Sequence, residues 1–162
     1  MAFIIGISQG MQPIVSFNTG AGKHDRVKKA YLLSCGAGLV ISVLAFLLFF
    51  FAPPQIIGIF GDGSESYYEF AIKYFKIFLF FTFVNFIQPI TSNFYTAIGK
   101  PVGGIILSLT RQILCLLPLI IIFPIYVGID GIMYAGPIAD LMAAVACVIM
   151  VAFQFRRKEY HN

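Results

Sequence analysis

With 162 residues, of which 59% are hydrophobic and only 11% are charged, the chain is far more apolar than a water-soluble domain of average composition. A mean hydropathy of +0.90 indicates an integral membrane protein that lies in the lipid bilayer. The net charge of +4 would favour nucleic acid in a soluble protein, but here the cations flank apolar runs and form no basic face with interleaved aromatic residues. We therefore exclude nucleic acid as a partner and interpret the cations as topology signals and contacts to anionic lipid.

The first apolar run, residues 2–17, predicts a partial membrane helix. As a helix it would extend roughly 24 Å, short of the ~20 residues that a full crossing needs. Gln9 and Gln12 fall on one helical face, and Gly6 and Gly10 form a pair of small residues suited to close helix packing. Since the first residue already stands in mid-helix, we expect the chain to be a truncated part of a longer protein.

A polar and basic segment, residues 17–29, follows this run and orients the chain. Its glycines predict the end of the first helix and a loop before the next. Lys23, Arg26, Lys28 and Lys29 place a cluster of cations beside a membrane span, and the positive-inside rule puts such a segment in the cytoplasm.

Residues 31–53 predict the first full membrane helix, because this run is apolar and long enough to cross. Ser34, Gly38 and Ser42 recur at helical spacing, so this side of the helix is expected to press against a neighbour. Residues 56–68 then predict an outer connection, since they carry acidic residues and no cation.

A third helix is predicted over residues 68–98. Its inner half carries polar side chains at helical spacing: Asn85, Gln88, Ser92 and Thr96. After a tight turn at residues 99–101, a fourth helix is predicted over residues 102–127 and a fifth over residues 132–155, which ends in a second basic cluster. All basic segments then fall on one side of the membrane, as the charge rule requires. Prolines inside these helices are expected to bend them: Pro89, Pro118, Pro124 and Pro137.

Several stretches carry a family resemblance: QGMQPIVSFNTGAGKHDRV, TAIGKP, SLTRQILCLLPL and GIMYAGPIAD. They resemble the C-terminal lobe of multidrug and toxic compound extrusion (MATE) transporters. The resemblance implies an all-α polytopic protein of the inner (plasma) membrane, with the basic loops and the C-terminus in the cytoplasm. The chain would supply four full transmembrane helices plus one partial N-terminal helix, which is most of one six-helix lobe. A missing N-terminal lobe or another chain would complete the central cavity.

For function, the resemblance implies a secondary active antiporter that exports drugs and organic cations in exchange for H⁺ or Na⁺ by alternating access. In many bacterial members an acid of the N-terminal lobe binds the coupling ion, and no position here corresponds to it. Some sodium-coupled members also use acids of the C-terminal lobe, partly on the helix matched by residues 68–98. This sequence has Asn85 and Gln88 there, a departure that puts a cation site in this lobe in doubt.

Arg111 and Asp140 are the deepest charges of the chain. Counted from opposite membrane surfaces they lie ~13 Å and ~12 Å inside, so their backbones would differ by several ångströms in depth if the two helices are antiparallel neighbours. We therefore expect a buried ion pair. An intramembrane acid is also a candidate for proton or cation coupling, but we favour a structural pair, because a carboxylate held by an arginine titrates poorly at physiological pH.

Two interpretations are open for the polar residues of the first and third helices, which are Gln9, Gln12, Asn85, Gln88 and Ser92. They could line the cavity and offer hydrogen bonds to varied drugs. They could instead form hydrogen bonds between helices, as such residues do in any polytopic bundle.

The sequence indicates no enzyme, cofactor or metal site. His24 and His161 lie in polar segments, and no nucleophile with its base, catalytic carboxylate pair or phosphate-binding loop stands in a usable position. Two alternatives to the antiporter remain. One is an inactive truncated product or a membrane interaction module, and the other is a lipid-linked polysaccharide exporter of the same superfamily.

Overall fold

The computed structural model describes residues 1–51, 72 and 82–159, and the regular elements in that part of the chain are all helical. In chain order they are α1 (Ala2–Gly20), α2 (His24–Phe51), a 3₁₀ turn (Thr82–Val84), α3 (Ile87–Ala97), α4 (Pro101–Leu109), a π-helical segment (Thr110–Leu116), α5 (Leu117–Val127) and α6 (Ile129–Glu159). The predicted outer connection and most of the early half of the predicted third helix lie outside the described residues.

Within the described part, three helical stretches are long and apolar enough to cross a membrane: His24–Phe51, Pro101–Tyr126 and Tyr134–Arg156. The expected all-α, polytopic membrane architecture is confirmed. α1 has 19 residues, more than the predicted run of residues 2–17, and is not among these stretches.

The turn between α1 and α2 is much shorter than the predicted loop. The prediction of a loop over residues 17–29 is wrong, because most of these residues are helical. Gly22 adopts a φ of +69°, which glycine reaches without strain, and the Lys23 N–H donates to the Asn18 carbonyl over 2.9 Å. This cap closes α1 so abruptly that α2 begins at His24 and carries most of the cations on its first turns.

The turn between α3 and α4 repeats this construction. Gly99 has a φ of +78°, and the Lys100 N–H donates to the Tyr95 carbonyl over 2.9 Å. Pro101 then opens α4, at a position where its missing N–H costs no intrahelical hydrogen bond. The tight turn predicted here is confirmed.

The inner half of the predicted third helix is interrupted, so the prediction of one helix through this region is wrong. Residues 82–84 form a 3₁₀ turn, Asn85 and Phe86 lie in a turn, and α3 begins only at Ile87. Pro89 therefore stands in the first turn of α3, where a helix lacks N–H partners in any case, instead of bending a helix interior.

From Pro101 to Val127 the chain is helical throughout, but residues 110–116 form the π-helical segment. Pro118 lies two residues after the end of this segment, and its nitrogen cannot donate to the carbonyl of Leu114. Wider helical turns commonly appear where the regular ladder of hydrogen bonds is disturbed. The distortion near Pro118 is therefore a π-helical stretch that precedes it.

α5 and α6 form a helical hairpin. Gly128 alone separates them, so the outer turn predicted over residues 128–131 is shorter than expected, and α6 continues past its predicted end to Glu159. Two further prolines lie inside these helices: Pro124 and Pro137. Bending at these two positions stays a prediction.

α3 lies at the centre of the bundle and packs against α1, α2, α4 and α6. Its apolar side chains form the middle of the core, where Ile90 and Phe94 are at most 1% exposed. Gly38 lets α2 approach this core, since a Cβ there would lie 2.9 Å from both the Ile90 and the Phe86 side chains. Of the stripe of small residues predicted on α2, Gly38 packs against a neighbour and Ser42 is buried, whereas Ser34 is only partly buried.

The pair of small residues predicted on α1 does not pack closely. Gly6 and Gly10 are exposed, and nothing in the described part of the chain lies within 4 Å of a Cβ built on either. The prediction of close packing at this pair is wrong for the described residues. Instead, the glycines leave open space beside α1.

The basic segments gather at one end of the bundle. Lys100, in the turn before α4, donates from Nζ to Oε1 of Gln154 on α6 over 2.9 Å. Lys28, in the first turns of α2, lies with Nζ 5.8 Å from the ring centroid of Phe155. The start of α2, the start of α4 and the end of α6 are therefore neighbours.

A larger side chain at Gly38 should destabilise the protein. Gly38→Val would force branched carbons into Ile90 and Phe86, and overpacking of this kind costs ~1–3 kcal/mol. Gly36→Val is a matched control on the same helix, because nothing lies within 4 Å of a Cβ there. Heating the detergent-solubilised protein before size-exclusion chromatography should lower the midpoint for Gly38→Val alone, and equal midpoints would contradict the close approach.

Candidate functional site

Asp140 on α6 binds two side chains from other elements, those of Arg111 and Asn85. We call these three residues the Asp140 clamp. Arg111 Nε donates to Asp140 Oδ1 over 2.7 Å, and a terminal guanidinium nitrogen of Arg111 reaches the same oxygen. Asn85 Nδ2 donates to the second oxygen, Oδ2, over 3.0 Å. The side chains of Arg111 and Asp140 are 29% and 14% exposed, so the pair is largely withdrawn from the surface of the bundle.

Each partner of Asp140 stands where the backbone departs from a regular α-helix. Arg111 lies in the π-helical segment, and Asn85 lies in the turn just before α3. The clamp therefore fixes two irregular segments against the regular helix α6. Because the Arg111 guanidinium is bound to the carboxylate, a cation at Asp140 would have to compete with it for the same negative charge.

The structure brings together the two charges that the sequence places at similar depth. It also adds Asn85, which the sequence assigned to a polar stripe and not to this pair. Depth along straight helices is readily counted at ~1.5 Å per residue, but the interruption that turns Asn85 toward Asp140 is not visible in the residue spacing.

Two further members of the polar stripe face α4. Gln88 Nε2 donates to Ser108 Oγ over 3.3 Å, and Ser92 Oγ donates to the Gly104 carbonyl over 3.0 Å. The helices touch here, since a Cβ at Gly104 would lie 2.6 Å from the Ser92 carbonyl oxygen. In geometry, Gln88 and Ser92 are interhelical hydrogen-bond donors.

Gln12 takes part in a polar cluster between α1 and α3, which we call the amide cluster. Gln12 Nε2 donates to Asn93 Oδ1 over 3.0 Å, and Asn93 Nδ2 donates to Ser8 Oγ over 2.7 Å. Ser8 is fully buried and donates to the Ile5 carbonyl. The sequence analysis did not identify Asn93 or Ser8. Asn93 could have been found from its amide, which is a strongly polar group inside a predicted membrane helix.

Gln9 differs from the other polar candidates because it is exposed on α1. A glutamine side chain is costly against hydrocarbon, since its amide then has no hydrogen-bond partner. In a membrane helix an exposed amide is therefore expected to face either water or another part of the protein.

Comparison with known proteins places the chain among membrane transporters. Residues 1–122 match the model of the MatE family. An FAD transporter of Shewanella oneidensis strain MR-1 is 28% identical over 155 residues, which cover 89% of this chain and 32% of that protein. The multidrug export protein MepA of Staphylococcus aureus strain bovine RF122 is 24% identical over 150 residues, which cover 91% of this chain and 32% of MepA.

Solved structures show the same likeness in the fold. A MATE multidrug transporter, DinF-BH in complex with R6G, matches with a TM-score of 0.84 and 32% identity over 92% of this chain and 33% of its own. An outward-facing MATE family transporter matches with a TM-score of 0.89 at 18% identity, over 97% of this chain and 36% of its own. An inward-facing one matches with 0.88 at 16% identity, over 97% and 37%. The chain thus spans about a third of the length of these relatives.

The Asp140 clamp should behave as one coupled unit. Asp140→Leu leaves the Arg111 guanidinium without its carboxylate, and Arg111→Met leaves the carboxylate without its cation, so each single change should lower the thermal midpoint. The double variant should lose less than the sum, with a coupling of ~0.5–3 kcal/mol. Arg156→Met, which removes an exposed arginine, should be additive with Asp140→Leu, and additivity for both pairs would contradict the clamp.

Proposed function

The chain belongs to the MatE family of membrane transporters, and from this premise we propose that it is part of a secondary active multidrug exporter. The observation that carries the proposal is the family match over residues 1–122. The likeness of the helical fold to solved MATE transporters agrees with this match. The exporter moves organic cations and other xenobiotics outward in exchange for H⁺ or Na⁺, by alternating access. This is a class of transporters and not of enzymes.

Within such an exporter, the chain forms most of the C-terminal six-helix lobe, and an N-terminal lobe or another chain completes the cavity. Its length of about a third of the relatives supports this division. Its nearly equal likeness to outward-facing and inward-facing transporters, with TM-scores of 0.89 and 0.88, supports a lobe that keeps its shape while the two lobes rock.

The lobe sits in the inner membrane with its basic end in the cytoplasm. Support comes from the gathering of Lys28, Lys100 and the end of α6 at one end of the bundle, where the positive-inside rule expects them together. The apolar stretches of α2 and α6 then cross the bilayer in the directions that the charge pattern requires.

We assign the polar residues to two roles. Gln9 lines the cavity, because it is exposed and its amide needs a polar environment. Gln12, Asn85, Gln88 and Ser92 hold helices together, because each donates a hydrogen bond to another element. The Asp140 clamp fixes the lobe, and coupling by H⁺ or Na⁺ runs through the other lobe, since the Arg111 guanidinium already pairs with the Asp140 carboxylate.

A second candidate substrate is a flavin dinucleotide. The FAD transporter of Shewanella oneidensis shares 28% identity with this chain, compared with 24% for MepA. The two substrates differ in charge, because organic cations are positive and a dinucleotide carries anionic phosphates. Export of one and not the other would therefore define the chemistry of the cavity.

Export by the two-lobed protein is the test of the proposal. Drug-sensitive cells that express the chain restored to two-lobed length should lose ethidium faster than cells that express the chain alone, because the lobe supplies only half of a cavity. Release of FAD into the medium, measured in the same cells, separates the second candidate. In everted vesicles, collapse of the pH gradient or of the Na⁺ gradient should stop export and identify the coupling ion. Equal export by the short chain would overturn the lobe assignment.

Gln9 and Gln88 should respond differently to the same substitution. Gln9→Leu should reduce ethidium export at an unchanged thermal midpoint, because it removes a polar group from the cavity. Gln88→Leu should lower the midpoint by the equivalent of about 1 kcal/mol, the usual net value of one hydrogen bond. Unchanged export by Gln9→Leu at normal protein levels would remove Gln9 from the cavity.

A further inference from the structure

A groove of about 460 Å³ runs between α1 and α2. Its walls are almost entirely apolar, with Ile7, Met11 and Leu33 among them, and the small residues Gly10 and Ala37 give it depth. The open space beside Gly10 described above is part of this groove. One charged side chain, Lys29, stands among the lining residues.

A second, polar pocket of about 410 Å³ adjoins the groove and shares Lys29 with it. Lys23, Arg26 and Lys29 are exposed there, next to the single carboxylate of Asp25 and the ring of His24. The pocket is therefore net positive with His24 neutral. The positive end of the helix dipole of α2, which begins at His24, adds to this potential.

The groove and the pocket together match the shape and polarity of a lipid molecule. Lys29 to Ala37 spans ~12 Å along α2, which is within the ~15 Å depth of one leaflet of a bilayer core. A polar, cationic pocket at the membrane surface thus leads into an apolar groove that runs down one leaflet. Cations at this level attract the headgroups of anionic lipids.

We propose that the junction of α1 and α2 is a binding site for an anionic phospholipid. The phosphate of the headgroup lies in the pocket of Lys23, Arg26 and Lys29, and one acyl chain lies in the groove beside Gly10 and Ala37. The excess of cations in the pocket that opens into the groove favours an anionic occupant of this kind. The site lies apart from the Asp140 clamp and does not depend on the transported substrate.

The experiment is native mass spectrometry of the detergent-purified protein with added phosphatidylglycerol or phosphatidylcholine of identical acyl chains. The unmodified protein should retain phosphatidylglycerol about tenfold better than phosphatidylcholine. The double variant Arg26→Gln/Lys29→Gln should bring the two lipids to equal retention. Arg156→Gln, which removes an exposed cation near the same end of the bundle, should leave the preference intact.

Filling the groove tests the position of the acyl chain. Gly10→Leu should abolish retention of phosphatidylglycerol, and nothing lies within 4 Å of a Cβ built at this position. Gly6→Leu is a matched control one turn away, equally open but outside the groove. Ala37→Phe fills the groove from α2 and should repeat the result of Gly10→Leu.

Three results would overturn the proposal. The first is retention of phosphatidylglycerol by both groove-filling variants. The second is complete displacement of the lipid by inorganic phosphate, which would make the pocket a site for free phosphate. The third is a cross-link from a photoreactive residue at position 37 to another part of the protein instead of to lipid, which would show that protein occupies the groove.

Discussion

The hydrogen bonds of α3 are the interactions on which the rest of the described bundle depends. Within one turn and a half, its side chains reach four different helices. Thr91 shares a buried hydrogen bond of 2.9 Å with Tyr31 on α2, Ser92 bonds to α4, Asn93 bonds to α1, and the Tyr95 hydroxyl donates to the Met150 carbonyl on α6. Lipid is as apolar as the helix surfaces, so burial of apolar area does little to hold helices together in a membrane. These polar contacts, with close packing at glycines, set the positions of the neighbours around a helix of 11 residues.

The central place of α3 also explains which polar residues could be predicted from the sequence. Helical spacing identifies residues on one face, and the stripe of Asn85, Gln88 and Ser92 was found in this way. A helix with several neighbours uses more than one of its faces, so Thr91 and Asn93 also carry contacts to other helices although they were not assigned to that stripe. The helical spacing of polar residues identifies the polar side of a helix that has only one such side. It is less informative for a helix at the centre of a bundle.

Other features of the fold were also predictable from the sequence where their cause is local, and not predictable where their cause is tertiary packing. The glycine turn after α3, the apolar spans and the similar depth of Arg111 and Asp140 follow from local chemistry and from a fixed rise per residue, so the sequence predicted them well. After α1 the glycines do end the helix, but the turn is much shorter than the predicted loop. Prolines in the sequence indicate that a helix is irregular, but the type of irregularity depends on the packing around them. Pro89 thus stands in the first turn of a new helix, and Pro118 follows a π-helical segment. The interruption before α3 is what allows Asn85 to reach Asp140.

In the proposed exporter this lobe rocks against another lobe and has to move as a body, and the contacts described here have the character of such a body. Asp140 has both oxygens bound, Gln12 and Asn93 bind each other, and Gln88 and Ser92 are directed at α4. Polar groups that are hydrogen-bonded to one another rigidify the lobe. Separating them is costly, because each would then need a new partner inside the membrane. In the proposed exporter, contacts to a substrate therefore come from polar groups that the lobe leaves exposed, and Gln9 on α1 is exposed.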